Sequence, residues 1–224
     1  MKIYHFSDTH QFHESLTIPE ADLVVFSGDC SNPRDPFINE YQVRTFIDWF
    51  AGLNIKHKIF VAGNHDTSIE AGLITKKDFT DKGIHYLFND SIEIEGYKIW
   101  GSPYTPTFCD WAFMKARNKI NRIWETIPND TDIIISHGPP KGILDLTINY
   151  ENNLEQCGCS ALRKRVLSIE PKLVMFGHIH NCQDIINAGT LKLSKYKTIF
   201  SNGTIAKDGD FAGKSLNNGN LIEL

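Results

Sequence analysis

The stretch Leu173-Val174-Met175-Phe176-Gly177-His178-Ile179-His180 sets four apolar, β-prone residues directly before a pair of histidines. Four other places repeat this arrangement. Ile3 to Phe6 leads to Asp8-Thr9-His10, Leu23 to Phe26 to Gly28-Asp29, Ile59 to Val61 to Gly63-Asn64-His65-Asp66, and Ile133 to Ile135 to Ser136-His137-Gly138. Near-continuous apolar runs of this length read as strands of a buried sheet. In α/β folds the loops beyond the carboxyl ends of such strands hold the site. Five such loops on one edge would deliver aspartate, histidine and asparagine side chains to one point, which is the geometry of a metal centre.

The chain around these motifs is ordinary for a globular protein. It has 224 residues, 41% hydrophobic and 22% charged, enough to bury a full core. A formal charge of −4 argues against a broad basic face for nucleic acid. The five cysteines, Cys30, Cys109, Cys157, Cys159 and Cys182, are an odd number and form no disulfide framework. A reducing cytoplasm is the expected setting. Cys157 and Cys159 lack a second pair at zinc-site spacing and read as structural or incidental. No apolar stretch approaches the length of a membrane span. No linker or repeat divides the sequence, and the proposed site draws on both halves, so residues 1–224 are expected to form a single domain.

Helices follow from periodicity. Asn39 to Leu53 carries Val43, Phe46, Ile47 and Phe50 at helical spacing, with Asn39 and Gln42 as a capping box. Asp110 to Thr126 carries Phe113, Ala116, Ile120 and Ile123 and stops before Pro128, and Ser160 to Ile169 stops before Pro171. Short strand-like runs lie at Ile84 to Leu87, Ser91 to Ile94, Lys98 to Trp100, Asp184 to Ile186 and Thr198 to Phe200. Together these predict a four-layer α/β/β/α sandwich: two mixed β-sheets flanked by helices.

Eight residues of the loops, Asp8, His10, Asp29, Asn64, His65, His137, His178 and His180, are too many candidate ligands for one cation and enough for two. Asp29 is the expected bridge, because each of its oxygens can take a cation. Mixed imidazole and carboxylate donors suit Mn, Fe, Zn, Ni or Co rather than Ca. Paired metals make hydroxide available at neutral pH and neutralise the charge on a phosphoryl group under in-line attack. A phosphate ester therefore fits better than a peptide.

The ordered set Asp-x-His, Gly-Asp, Gly-Asn-His-Asp, His-Gly and Gly-His-x-His resembles the calcineurin-like metallophosphoesterase superfamily, from Asp8 to about Asn202. The elements Gly101-Ser102-Pro103-Tyr104, Ser136-His137-Gly138-Pro139-Pro140 and Gly158-Cys159-Ser160-Ala161-Leu162 resemble its small metallophosphoesterase-domain-containing group, which includes cyclic-nucleotide-type phosphodiesterases. The resemblance implies two divalent transition-metal ions, manganese first among them. It assigns Asp8, His10, Asp29 and His180 to one metal, and Asp29, Asn64, His137 and His178 to the other. It implies a metal-bridging hydroxide as nucleophile, with His65 beside the leaving group as proton or hydrogen-bond donor. Asn181 and Cys182 depart from the pattern after Gly-His-Ile-His, as does Gly203 where an alanine is expected; these bear on substrate preference.

The expected activity is hydrolysis of a small-molecule phosphodiester. Phosphomonoesterase or protein Ser/Thr phosphatase activity is the alternative, weakened because Asp66 stands where that branch has glutamate and because Arg34 is the only arginine in the Gly28 to Arg34 loop. A metal-free scaffold should show ligand losses, and none is seen; an exonuclease lacks an obvious DNA-binding face. Outside the ligands, Arg34 and His13 are candidates to meet substrate. Asp66 reads as a helix cap or backbone support, His5 as a satisfied interior residue, His57 and His85 as surface residues, and Trp111 as core.

Overall fold

The computed structural model describes residues 1–182, 184–206 and 218–224. In chain order the elements of the first part are β1 (Lys2–Phe6), β2 (Leu23–Phe26), α1 (Pro36–Ala51), β3 (His57–Phe60), α2 (Thr67–Glu70), α3 (Lys76–Thr80) and β4 (His85–Tyr86). Next come β5 (Asp90–Ile94), β6 (Tyr97–Ser102), β7 (Thr105–Pro106), β8 (Met114–Lys115), α4 (Asn121–Trp124) and β9 (Ile133–Ser136). The remainder holds β10 (Leu146–Ile148), β11 (Leu154–Gln156), α5 (Ser160–Ile169), β12 (Leu173–Phe176), β13 (Gly189–Lys192), β14 (Ile199–Asn202) and β15 (Asn220–Glu223).

Two mixed sheets carry the architecture, ordered β15-β1-β2-β3-β4 and β13-β14-β12-β9-β6-β5. In the first, β1 to β4 run parallel and β15 is antiparallel. In the second, β14, β12, β9 and β6 run parallel between the antiparallel edges β13 and β5. Alternation along the strands separates three cores. Ile3, Leu23, Val25, Ile59 and Val61 meet Ile99, Ile133, Ile135, Leu173 and Met175 between the sheets. Tyr4, Phe6, Val24, Phe26 and Phe60 face the opposite way and pack on Val43, Phe46, Ile47 and Phe50 of α1. Ile134, Val174, Phe176 and Phe200 face outward onto Trp124, Leu162 and Val166 of α4 and α5. The expected α/β/β/α layering is therefore present, and the unbroken apolar runs arise because each strand is covered on both faces.

Three local expectations are corrected. Helix α1 begins at Pro36, and its cap is Asp35, whose side chain accepts from the Phe37 N–H at 2.9 Å. Asn39 lies buried inside the helix rather than capping it. The predicted helix over Asp110 to Thr126 is mostly absent: β8 pairs with β7, and only Asn121–Trp124 is α-helical. The apolar residues that share a helical face in that stretch belong to different cores. Ala112 and Phe113 pack toward the first sheet, while Ile120 and Trp124 pack outside the second. Phe113 has left-handed backbone (φ 53°), and its N–H donates to Glu70 Oε1 at 2.7 Å. Tertiary pairing has overridden the 3.6-residue period. The third concerns Asp184 to Ile186, where an isolated bridge between Cys182 and Ile185 stands in place of a strand.

Candidate metal centre

Each of the five loops leaves the carboxyl end of a central parallel strand, three from the first sheet and two from the second. They turn sharply there. Asp8 (φ 53°), His10 (φ 43°), Asp29 (φ 65°) and His178 (φ 69°) all hold left-handed backbone, a conformation costing about 1–3 kcal/mol per non-glycine residue. Glycines let the loops touch. A Cβ at Gly63 would strike the Asp29 carboxylate, and one at Gly177 would strike that of Asp8.

The structure brings the side chains into two adjoining groups. Asp8, His10 and His180 each offer a ligand atom within 4.8 Å of the others, and so do Asp29, His137 and His178. His10 Nε2 lies 3.4 Å from His180 Nε2, and Asn64 Oδ1 lies 2.9 Å from His137 Nε2. Backbone carbonyls orient two of the rings: His10 Nδ1 donates to Ser31 O at 3.1 Å and His137 Nδ1 to Ser27 O at 2.8 Å. That fixes Nε2 as the electron-pair donor facing the centre, as metal-binding histidines require.

The loops also clamp one another. The His178 N–H donates to both Asp8 oxygens at 3.0 Å, and the His65 N–H to Asp29 Oδ1 at 2.7 Å. Asp66 accepts from the N–H groups of Asp29, Cys30 and Gly63 at 2.8–3.0 Å. It supports the backbone under Asp29 and makes no side-chain cap to α2. Asn39 Nδ2 bridges Ser31 Oγ, Pro33 O and His65 O, so α1 braces the second and third loops.

Electrostatics matches the donor set. Burial pushes the Asp8 carboxyl up, but the hydrogen bond and charge of His180 and the charge of His137 bring it to about 2. Burial likewise opposes ionisation of Asp29, but the charges of His137, His65 and His10 and the His137 hydrogen bond together outweigh it, holding the group well below the usual carboxylate range. Burial lowers His10 to about 4; burial and the His137 charge lower His178 to about 3. Burial disfavours a charged His137, yet the carboxylates of Asp29 and Asp8 hold it up at about 9. Two carboxylates against a single cationic imidazole leave an excess of negative charge among buried and half-buried rings, and the residues fit a pair of divalent cations.

His65 stands at the rim, its ring 4.9 Å from that of His10. Arg34 is exposed and lies over the Trp111 indole, Cζ 4.2 Å from the ring centre. His13 is not with them: it is buried against Phe46 and Trp49 of α1, with neither ring nitrogen hydrogen-bonded, and cannot reach a ligand at the centre. His5 joins the sheets through Ser27 Oγ (2.9 Å) and Ser201 Oγ (2.7 Å). Its ring fills the space that a Cβ at Gly203 would need, which accounts for glycine at that departure from the pattern. Asn181 Oδ1 accepts from the N–H groups of Asn187 and Ala188, closing the turn after His180. His57 and His85, expected at the surface, are half-buried.

Sequence reading missed two aromatic residues beside the centre. Trp111, assigned to the core, lies 4.0 Å from His65 between ring centres, and the exposed Phe108 lies 5.4 Å from His178. Trp111 belongs to the segment that the false helical period concealed, and Phe108 lies just before it.

The comparisons with known proteins agree with this geometry. Metallophosphoesterase domain-containing protein 1 of Homo sapiens is 30% identical over 209 residues, covering 82% of this chain and 62% of its own length. The chain thus spans less than two thirds of that relative. A UPF0046 protein of Caenorhabditis elegans is 34% identical over 201 residues, 82% of this chain and 70% of its own. A 3',5'-cyclic-nucleotide phosphodiesterase of Nostoc sp. is 24% identical over 180 residues, 72% and 57% of the two lengths. One solved crystal structure superposes with a TM-score of 0.64 over 90% of this chain and 89% of its own at 14% identity, which speaks to the fold alone. A family model described as calcineurin-like phosphoesterase matches residues 1–182. That span holds all five loops, and the chain belongs to the calcineurin-like phosphoesterase family, on the side of the small metallophosphoesterase-domain-containing proteins.

Proposed function

We propose that this chain hydrolyses phosphodiesters, with a pair of divalent transition metals, manganese foremost, as its cofactor. The observation that carries this reading is the pair of buried donor groups, each within 4.8 Å internally, joined by clamped loops. Asp8, His10, Asp29 and His180 would hold one cation, and Asp29, Asn64, His137 and His178 the other. Bound cations supply Lewis acidity, making water nucleophilic at neutral pH and offsetting charge on phosphoryl oxygens.

The protein's own part is to fix donors and protons. Asp29 accepts from the His65 N–H, so the residue expected to bridge also sets the position of the residue that meets the leaving group. His65 Nδ1 donates to Asn32 O at 3.3 Å, which turns Nε2 toward the departing oxygen, to which the doubly protonated ring would give its Nε2 proton. Diester preference is supported by the single cationic side chain, Arg34, that among the described residues stacks on His65's neighbour Trp111. A dianionic monoester asks for more positive charge than a diester monoanion. The phosphodiesterase name of the Nostoc relative points the same way. Five free cysteines fit a reducing, cytoplasmic setting, and no helix among the described residues is long and apolar enough to cross a membrane.

The deciding experiment is a Mn²⁺-supplemented activity panel at equal enzyme concentration: an aryl phosphodiester, an aryl phosphomonoester, cyclic nucleotides and a phosphopeptide. Turnover of the diesters should exceed that of both monoesters. A dominant monoesterase rate would transfer the chain to the alternative reading, and inactivity of a metal-loaded sample on all four would overturn the proposal.

A further inference from the structure

His65 is weakly held for a group that must aim a proton. Its backbone N–H is committed to Asp29 Oδ1. Among the described residues its ring has one hydrogen bond, the long 3.3 Å contact from Nδ1 to Asn32 O. The ring sits between two aromatic neighbours instead. His10 meets it edge-on at 4.9 Å, and the Trp111 indole lies on it with ring centres 4.0 Å apart and planes 35° apart. Trp111 is itself restrained. Arg34 Cζ stands 4.2 Å from its ring centre, and the following peptide is pinned to the third loop by Ala112 N–H donating to Asn64 O at 3.1 Å. The segment bearing Trp111 is thus tied to the same loop as the ring it supports.

We infer that Trp111, held by Arg34, is a positioning residue for His65: it keeps the imidazole turned toward the departing oxygen without touching the reacting atoms. The inference rests on the proposed role of His65. Its physical basis is that rotation about the side-chain torsions of His65 moves Nε2 by ångströms, and a misplacement of about 1 Å can cost on the order of 100-fold in rate. Ring-on-ring contact restricts that rotation where one long hydrogen bond does not.

The test uses the Mn²⁺-loaded full chain and methyl aryl phosphodiesters whose phenols run from good to poor leaving groups. Trp111→Ala should lower kcat on the order of 10- to 100-fold for the poorest leaving group. It should barely change the best one, and KM and bound metal should stay as in the parent. Trp111→Phe should recover most of the loss. In a His65→Ala background, Trp111→Ala should cost nothing further, as expected of residues acting as one unit. Trp111→Leu takes the place of the alanine variant if the latter folds poorly. A rise in KM with kcat retained, a loss equal across all leaving groups, or a loss that persists without His65 would each overturn the inference. If His65→Ala shows a leaving-group-dependent loss and Trp111→Ala does not, Trp111 alone is misassigned. If His65→Ala itself shows none, the role of His65 falls and this inference with it.

Discussion

At the scale of single residues, the proposed function gives the centre side chains that hold charge and one, His65, that meets the leaving group. Asp29 is buried and His178 half-buried among the donors, whereas His65 stands at the rim against His10 and Trp111. Removing a donor and removing a proton source should therefore look different. Asp29→Ala or His178→Ala should abolish turnover of an aryl phosphodiester together with metal uptake, read by metal analysis of the dialysed protein, while circular dichroism keeps its native shape. His65→Ala should keep its metal and lose about 10²–10⁴-fold in kcat on a poor leaving group. Parent-like activity of that variant would refute the assignment. The donors were legible as residues, since aspartate, histidine and asparagine after apolar runs identify themselves. Their left-handed backbone was not legible, because a lone residue's φ follows from what surrounds it. His13 shows the converse error: proximity in sequence to the first loop suggested access to substrate, but its side chain turns into the aromatic core under α1.

At the scale of elements, α1 does more than cover a sheet. Its one buried polar residue, Asn39, bonds the second and third loops, and its carbonyl oxygen accepts from the N–H and the hydroxyl of Ser68 at 3.1 and 2.8 Å. Asn39→Ala leaves the buried Ser68 N–H without its acceptor, while Ser31 Oγ and the His65 carbonyl each lose one partner but keep their bond to one another. Each buried group so orphaned costs about 1–3 kcal/mol. The variant should lose at least that much stability in a urea titration and bind metal more weakly, because both loops carry donors. Unchanged stability would show that water replaces the amide. The helix itself was readable from its period, since its buried residues all serve one core. Asp110 to Thr126 was not, because its apolar residues are divided between two cores and a helical pattern arises by coincidence.

At the scale of the whole molecule, buried histidines set the response of the metal-free protein to pH. Burial lowers His5 to about 3, as it lowers His10 to about 4 and His178 to about 3. All lie below the unfolded value of about 6.5. Below that value the unfolded chain takes up protons that the folded chain refuses, so stability falls on acidification. The depressed carboxyls of Asp8 and Asp29 act in the same sense at still lower pH. His137 has the opposite sign. Held at about 9, its contribution is complete below about 6.5 and is lost as pH rises through the folded value. The urea midpoint of the metal-free chain should therefore peak near neutrality and decline on both sides. A midpoint that is level across this window, or highest in acid, would contradict the charge pattern.

The order of apolar runs and metal-type residues determined, without coordinates, that two covered sheets would bring loops rich in aspartate, histidine and asparagine to one edge. That inference succeeds because burial on both faces of a strand forces an unbroken apolar run, and a strand's end is where polar chemistry can resume. Only the tertiary structure decided that Trp111 lies on His65, that Gly203 makes room for His5, and that Asn39 braces two loops. Each depends on contact between segments distant in the chain, and such contacts leave no period or spacing in the sequence to read.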